Sequence, residues 1–262
     1  MVNYLSAEFY KLRFHKGLYV GTGLLLLLET VVFLPGFMIR NQDYIDRDIL
    51  LAFLVVAMTV GIIIAPIFAT MTFDDQNGNG TLKNEIVYGI PRHRAYIGKM
   101  LAGAIAGTII SLLAMGWFLL LTFLVGGPSE GTNQEFLGIF IRATGIQWLV
   151  WMSVYAFFFF LLVLIRSAAA ALSLGYAVTV LGTPVALTIA SGTDVSFFWQ
   201  LVSDLFFTSP LRFTVGLDLS DRRLLVSFLG DNPLLYALVI CIFWWAVSVL
   251  LGLIVLRRRE IK

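Results

Sequence analysis

The sequence predicts an all-α membrane protein with six transmembrane helices. Of its 262 residues, 59% are hydrophobic and only 13% are charged, about half the charged fraction of an ordinary soluble domain. Several intervals without charge exceed the roughly 20 residues that a helix needs to cross a bilayer, and none alternates like a transmembrane β-strand. A soluble core of this length could not bury so much apolar surface, which excludes a soluble enzyme.

The gaps between charged residues define the six spans. The first is apolar except for one carboxylate, Glu29, and the other five contain no charged residue. The predicted spans are 17–39, 49–73, 100–126, 143–165, 168–191 and 234–256.

The basic residues predict that both termini are cytoplasmic. Lys and Arg resist translocation, and twelve of the 18 lie on the side of the N-terminus if all six spans cross. An even number of spans returns the C-terminus to that side.

The first segment, 1–16, is predicted to be an amphipathic helix on the inner membrane surface. Leu5, Phe9 and Leu12 recur on one helical face, while Glu8, Lys11 and His15 fall on another. A basic tail that only sets the topology is the alternative, and the residues leave it open.

The longest cytoplasmic connection, 74–99, has the pattern of a short helix. Gly80 ends a turn, Thr81 suits the N-cap, and Gly89 with Pro91 suits the end of the helix. Two helical turns are unstable alone, so neighbouring spans or a partner must hold them. An ordinary connecting turn remains the alternative.

The outer connection, 192–233, contains a second short helical pattern. Val195, Phe198 and Val202 recur at helical spacing. Because residues 195–207 are too few to span a bilayer, we expect an interfacial or re-entrant helix.

Glu29 is the one charged residue inside a predicted span. It lies near the bilayer centre, where a carboxylate costs about 2.5 to 3.5 kcal/mol on insertion scales, so it should face protein or water. A role in the translocation pathway and a purely structural contact between helices both fit this position.

Catalytic, metal and nucleotide motifs are absent from the sequence. The only Gly-Lys pair, at Lys99, lacks the rest of a phosphate-binding loop. Cys241 is the only cysteine, and His15 and His93 lie far apart. We therefore expect no bound cofactor or metal, no enzyme activity and, with a net charge of +2, no nucleic-acid partner.

The connection between spans two and three resembles a known family. The chain is similar to the membrane subunits of type-2 ATP-binding cassette (ABC) exporters, especially short permeases associated with bacitracin resistance and lantibiotic self-protection. The residues that carry the resemblance are Asn79, Gly80, Thr81, Leu82, Lys83, Asn84, Glu85, Tyr88, Gly89, Arg92, Gly98 and Lys99.

The resemblance implies that this connection is a coupling helix that docks on a separate ATPase. Gly80 and Thr81 would start it, Glu85 would contact the ATPase, and Arg92 and Lys99 would anchor its exit to the membrane surface. Pro91 departs from the family pattern. The implied coupling residues are Gly80, Thr81, Leu82, Lys83, Glu85, Ile86, Tyr88, Gly89, Arg92 and Lys99.

The resemblance also implies the working assembly, a type-2 exporter-like bundle in a bacterial plasma membrane. Two permeases, identical or homologous, would join two cytoplasmic ATPases that bind ATP and Mg, with a pathway lined by spans one, two and five. They would export an amphipathic or hydrophobic substrate, such as an antimicrobial peptide. An ion-gradient transporter that uses Glu29, or a membrane anchor that recruits a partner through 74–99, are the alternatives.

Overall fold

A computed structural model shows a bundle of helices and, in the residues that it describes, no strand. These residues are 2–38, 61–73, 89–125, 133–165, 167–191, 196–213 and 232–258. The helices are α1 (Val2–Arg13), α2 (Lys16–Met38), α3 (Gly61–Phe73), α4 (Arg92–Val125), α5 (Asn133–Leu164), α6 (Ala168–Ser191), α7 (Phe197–Leu205), a 3₁₀ helix (Ser209–Phe213) and α8 (Pro233–Arg258).

Five of the described helices, α2, α4, α5, α6 and α8, are long and apolar enough to cross a membrane. This confirms the expectation of an all-helical, multi-pass membrane protein. The predicted span 49–73 is described only over α3, which is apolar but shorter, and its first part lies outside the described residues. The number of six spans and the side of the termini stay predictions.

Helix α5 lies at the centre of the bundle. It is buried along nearly its whole candidate span, whereas α2, α6 and α8 are buried over less than a quarter of theirs. Its aromatic residues fill the core: the ring of Phe159 packs 5.3 Å from those of Phe73 on α3 and Tyr96 on α4. Phe158 fits against α6 at Gly175, a position without room for a Cβ atom. Helix α5 therefore holds its neighbours together by packing.

The outward faces of the other long helices are apolar. On α2, for example, Val20, Leu24, Leu27, Val31 and Leu34 are all exposed. Continuous apolar surface of this extent is unfavourable in water. These faces therefore indicate contact with lipid or with another membrane helix.

Helix α7 lies within the segment 195–207, and it turns its polar side inward. Ser203 Oγ donates to Ala186 O of α6 at 2.6 Å, and Tyr236 OH of α8 donates to Asp204 O at 2.5 Å. Phe198 and Val202 on the opposite side are exposed. On a soluble protein an amphipathic helix exposes its polar side and buries its apolar side. The opposite orientation of α7 fits a short helix whose apolar side faces lipid.

Candidate functional site

Helix α4 begins at a sharp turn, directly after the connection between spans two and three. Gly89 has a φ of 88°, a left-handed conformation that glycine adopts at little cost and that is common at the end of a helix. Arg94 N donates to Pro91 O at 2.9 Å, so Pro91 builds the first turn of α4. A proline suits this place because the first turn does not need its N–H.

The start of α4 corrects the predicted extent of the connection 74–99. Its last eight residues, Arg92 to Lys99, belong to α4 and form its first two turns. The prediction ended the span at the last charged residue, whereas a helix continues through charged residues once it leaves the apolar part of the bilayer. The connection therefore passes into a spanning helix without a flexible linker on that side.

Arg92 joins the start of α4 to the last turn of α8. Its Nη1 donates to Leu256 O at 3.1 Å. Carbonyl groups in the last turn of a helix have no partner within the helix and favour positive charge. Arg92 therefore stabilises the end of α8, and its predicted place at the membrane surface stays a prediction.

One turn further along α4, Tyr96 makes a second contact with α8. Its OH donates to Ser248 O at 2.8 Å, and its ring lies so close to Gly252 that a Cβ atom there would collide with it. Arg92 and Tyr96 thus fix α4 against α8 over two successive turns.

Lys99 is buried inside the bundle, with only 1% of its surface exposed, and its predicted place at the membrane surface stays a prediction. Its Nζ lies 3.1 Å from Oε1 of Glu8 on α1, and 5.9 Å from the centre of the Tyr4 ring. Tyr4 also packs directly on Gly98, so α1 crosses α4 in close contact.

Glu8 is the member of this site that the sequence did not single out. It was placed on the polar face of α1, yet it is buried and faces α4. Lys11 Nζ lies 2.9 Å from the same Oε1 atom. This pair within α1 would account for an acidic residue at position 8 without any distant partner. Only the fold brings Lys99, 91 residues away, to this carboxylate. We refer to Glu8, Arg92, Tyr96 and Lys99 as the entry cluster.

Glu29 lies apart from the entry cluster, on the side of α2 that faces α4. Leu25, one turn before it, packs with Ala114, and Phe33, one turn after it, packs 4.9 Å from the Phe118 ring. Glu29 is 3% exposed, and its Oε2 has no hydrogen-bond partner among the residues that the structure describes. The carboxyl group is thus shielded from lipid, as the sequence requires, while retaining capacity for a further hydrogen bond.

The remaining predicted coupling residues lie outside the described residues. Their proposed contact with an ATPase therefore rests on the sequence. They are Gly80, Thr81, Leu82, Lys83, Glu85, Ile86 and Tyr88.

The model of the ABC-2 family transporter proteins matches residues 4–182, more than half of the chain. The chain belongs to the ABC-2 transporter family. The match covers the entry cluster and Glu29, and it ends within α6. No curated protein matches the chain significantly.

Family membership defines the chain's general role. An ABC-2 permease is the membrane subunit of a transporter, so this chain is a transport subunit and not itself a catalytic enzyme. The family also implies an ATPase partner. The entry cluster lies where the connection between spans two and three reaches the bundle.

We predict that the ion pair between Lys99 and Glu8 stabilises the folded chain. Glu8→Gln should lower the free energy of unfolding by about 3 to 5 kcal/mol, because it removes the carboxylate that pairs with the buried ammonium group of Lys99. Lys99→Met should cost less than Glu8→Gln, because Glu8 keeps Lys11 as an ion-pair partner. The double variant should lose less than the sum of the two. Chemical unfolding in detergent micelles measures these differences.

Lys11→Met is the matched control, because Lys11 pairs with the same carboxylate oxygen while its side chain is 47% exposed. It should cost less than about 1 kcal/mol. If Lys11→Met and Lys99→Met lowered the free energy of unfolding equally, burial would add nothing to the stability that the ion pair contributes.

Proposed function

We propose that the chain is the permease of an ABC exporter that moves an amphipathic or hydrophobic substrate outward. A separate cytoplasmic subunit would bind ATP and Mg and hydrolyse the ATP. The observation that carries the proposal is the entry cluster in an ABC-2 permease: Lys99 joins α4 to α1 through Glu8, and Arg92 joins it to α8. A push on the connection 74–88 would therefore move three helices together.

The predicted coupling helix is the part that would receive this push. In this proposal Glu85 contacts the ATPase, and Gly89 with Pro91 turns the chain from the coupling helix into α4. Because α4 begins at Arg92, only a short turn separates the two. A displacement of the coupling helix by the ATPase would therefore be transmitted to α4 almost in full, because the short turn leaves little backbone that could absorb it.

Close packing inside the chain supports a pathway between two permeases. The cavity among α2, α3, α4 and α5, lined in part by Gly61, Gly103 and Gly107, has a volume of about 20 Å³. This is room for about one water molecule. A second cavity of about 610 Å³ lies between α4, α5 and α8, lined in part by Trp148 and Trp245, and it is open at the surface of the chain. A second permease, identical or homologous, would be needed to enclose a space for a substrate of peptide size.

Helices α2, α3 and α6 form one side of the chain that could line such a pathway. A Cβ atom at Gly17 of α2 would lie 3.0 Å from Met71 Cε of α3, and Tyr176 OH of α6 donates to Ile63 O of α3 at 2.6 Å. The long helices of this side, α2 and α6, are buried over less than a quarter of their candidate spans. The contacts among these three helices support the expectation that spans one, two and five line the pathway.

Glu29 would meet the substrate when α2 moves away from α4. Its burial between these helices and the open position at Oε2 suit a group that is hidden in one arrangement and exposed in another. A carboxylate in an apolar pathway favours a cationic group. We therefore propose a cationic amphipathic substrate, such as an antimicrobial peptide.

We predict that Glu85→Ala uncouples ATP hydrolysis from transport. In vesicles that contain the chain and the ATPase that co-purifies with it, the variant should lose at least about tenfold in substrate-stimulated ATP hydrolysis. The reason is that the coupling helix would lose its polar contact with the ATPase. Steady-state ATP hydrolysis with and without peptide measures the effect.

Asn84→Ala, the neighbouring substitution, is the control and should keep the stimulation. Unchanged stimulation and unchanged ATPase binding in Glu85→Ala would remove Glu85 from the coupling role. Failure of any ATPase to co-purify, together with gradient-driven flux by the chain alone, would contradict the exporter itself.

We predict that Glu29→Gln selectively impairs the export of cationic substrates. Glutamine keeps the shape of the side chain and loses the negative charge, so export of a cationic peptide should fall about tenfold while a neutral hydrophobic substrate is unaffected. Vesicle efflux assays over a range of pH measure both. Full transport of the peptide by Glu29→Gln at every pH would leave Glu29 a structural role only.

A further inference from the structure

The corner between α1 and α2 carries an exposed cluster of aromatic and basic side chains that the transport proposal does not use. Its aromatic members are 59% to 67% exposed. Each basic member is exposed as well. We call this cluster the corner surface; it consists of Tyr10, Lys11, Arg13, Phe14, Lys16 and Tyr19.

The aromatic residues of the corner surface are held in a defined arrangement. The rings of Tyr10 and Phe14 lie 4.8 Å apart, and Tyr19 OH donates to Arg13 O at 2.7 Å. This last bond ties the first turn of α2 to the end of α1. Exposed aromatic side chains of this kind are enriched where the apolar part of a bilayer meets the headgroups.

The fold places the corner surface at headgroup depth. The candidate span of α2 starts at Lys16, so the apolar part of the bilayer begins just after the corner. The opposite side of α1, with Glu8 and Leu12, is buried against the bundle. Helix α1 therefore presents Tyr10 and Phe14 outward at the edge of the bilayer.

The exposed charge of the corner is positive. Glu8 is the only acidic residue of α1, and it is buried. The ammonium groups of Lys11 and Lys99 both lie within 3.1 Å of its Oε1, so these three side chains carry a formal excess of one positive charge. Arg13 and Lys16 add two more at the surface. Negative groups at the bilayer edge would complement this charge.

We propose that the corner surface binds the phosphate headgroups of anionic phospholipids in preference to zwitterionic ones. Lys11, Arg13 and Lys16 contact the phosphates, while Tyr10 and Phe14 insert between the headgroups. The proposal requires that the chain lies in a membrane and depends neither on the transported substrate nor on the ATPase. Through Glu8, a bound lipid also fixes the position of α1 over Lys99.

The test is the retention of lipids by the full chain after extraction from bilayers of phosphatidylglycerol and phosphatidylcholine in equal parts. Native mass spectrometry measures how many molecules of each lipid remain bound to the chain. We expect the wild-type chain to retain more phosphatidylglycerol than phosphatidylcholine. The ratio of the two should fall about fivefold in each of the single variants Lys11→Gln, Arg13→Gln and Lys16→Gln, because each removes one positive charge. Combining the three substitutions should abolish the preference.

The matched control removes the same charge from exposed arginines outside the corner, in a variant with Arg94→Gln, Arg142→Gln and Arg257→Gln. It should change the preference less than about threefold. Tyr10→Ala with Phe14→Ala should lower the retention of both lipids equally, because it removes the apolar contact and no charge.

Three outcomes would overturn the proposal. Equal losses in the corner and control variants would show attraction to total charge without a local site. An unchanged preference in the single corner variants, which are surface substitutions, would exclude the corner as well. Displacement of the lipid by millimolar inorganic phosphate would indicate a site for free phosphate instead. None of these outcomes depends on transport or ATP hydrolysis, so they leave the exporter proposal standing.

Discussion

The buried ion pair between Lys99 and Glu8 is the interaction on which this end of the structure depends. Taking a lysine ammonium out of water costs several kcal/mol even after the protein relaxes, and the carboxylate of Glu8 offsets this cost for Lys99. The ion pair therefore favours α1 lying across α4, where Tyr4 packs on Gly98. A helix that could lie loosely on a membrane becomes a fixed part of the bundle.

The same two turns of α4 fix α8, and this gives a physical basis for the proposed coupling to a separate ATPase. Arg92 and Tyr96 bind carbonyl groups of α8, while α5 fills the centre of the bundle. Motion that arrives at the start of α4 is thus shared with a helix on each side. Lipid contacts at the α1–α2 corner would act on the same set of helices through Glu8.

The sequence predicted the limits of helices that follow from hydropathy, and it missed contacts between residues that are distant along the chain. The limits of α6 and α8 follow the uncharged intervals closely, because lipid requires apolar side chains along a span. It took Lys99 to mark the edge of a span, and it placed Glu8 on the polar face of α1, whereas the fold buries the two side chains against each other. A contact across 91 residues leaves no local pattern, so a single sequence could not reveal the entry cluster.

Distances between spin labels in the assembled transporter test the central claim most directly. With Cys241 replaced by Ala, labels at Ser6→Cys on α1 and His93→Cys on α4 report on one pair of helices, and labels at His93→Cys and Leu174→Cys report on α4 and α6. On ATP binding, we expect the first distance to stay within its original distribution while the second shifts. A shift between Ser6 and His93 with a constant distance between His93 and Leu174 would contradict the account.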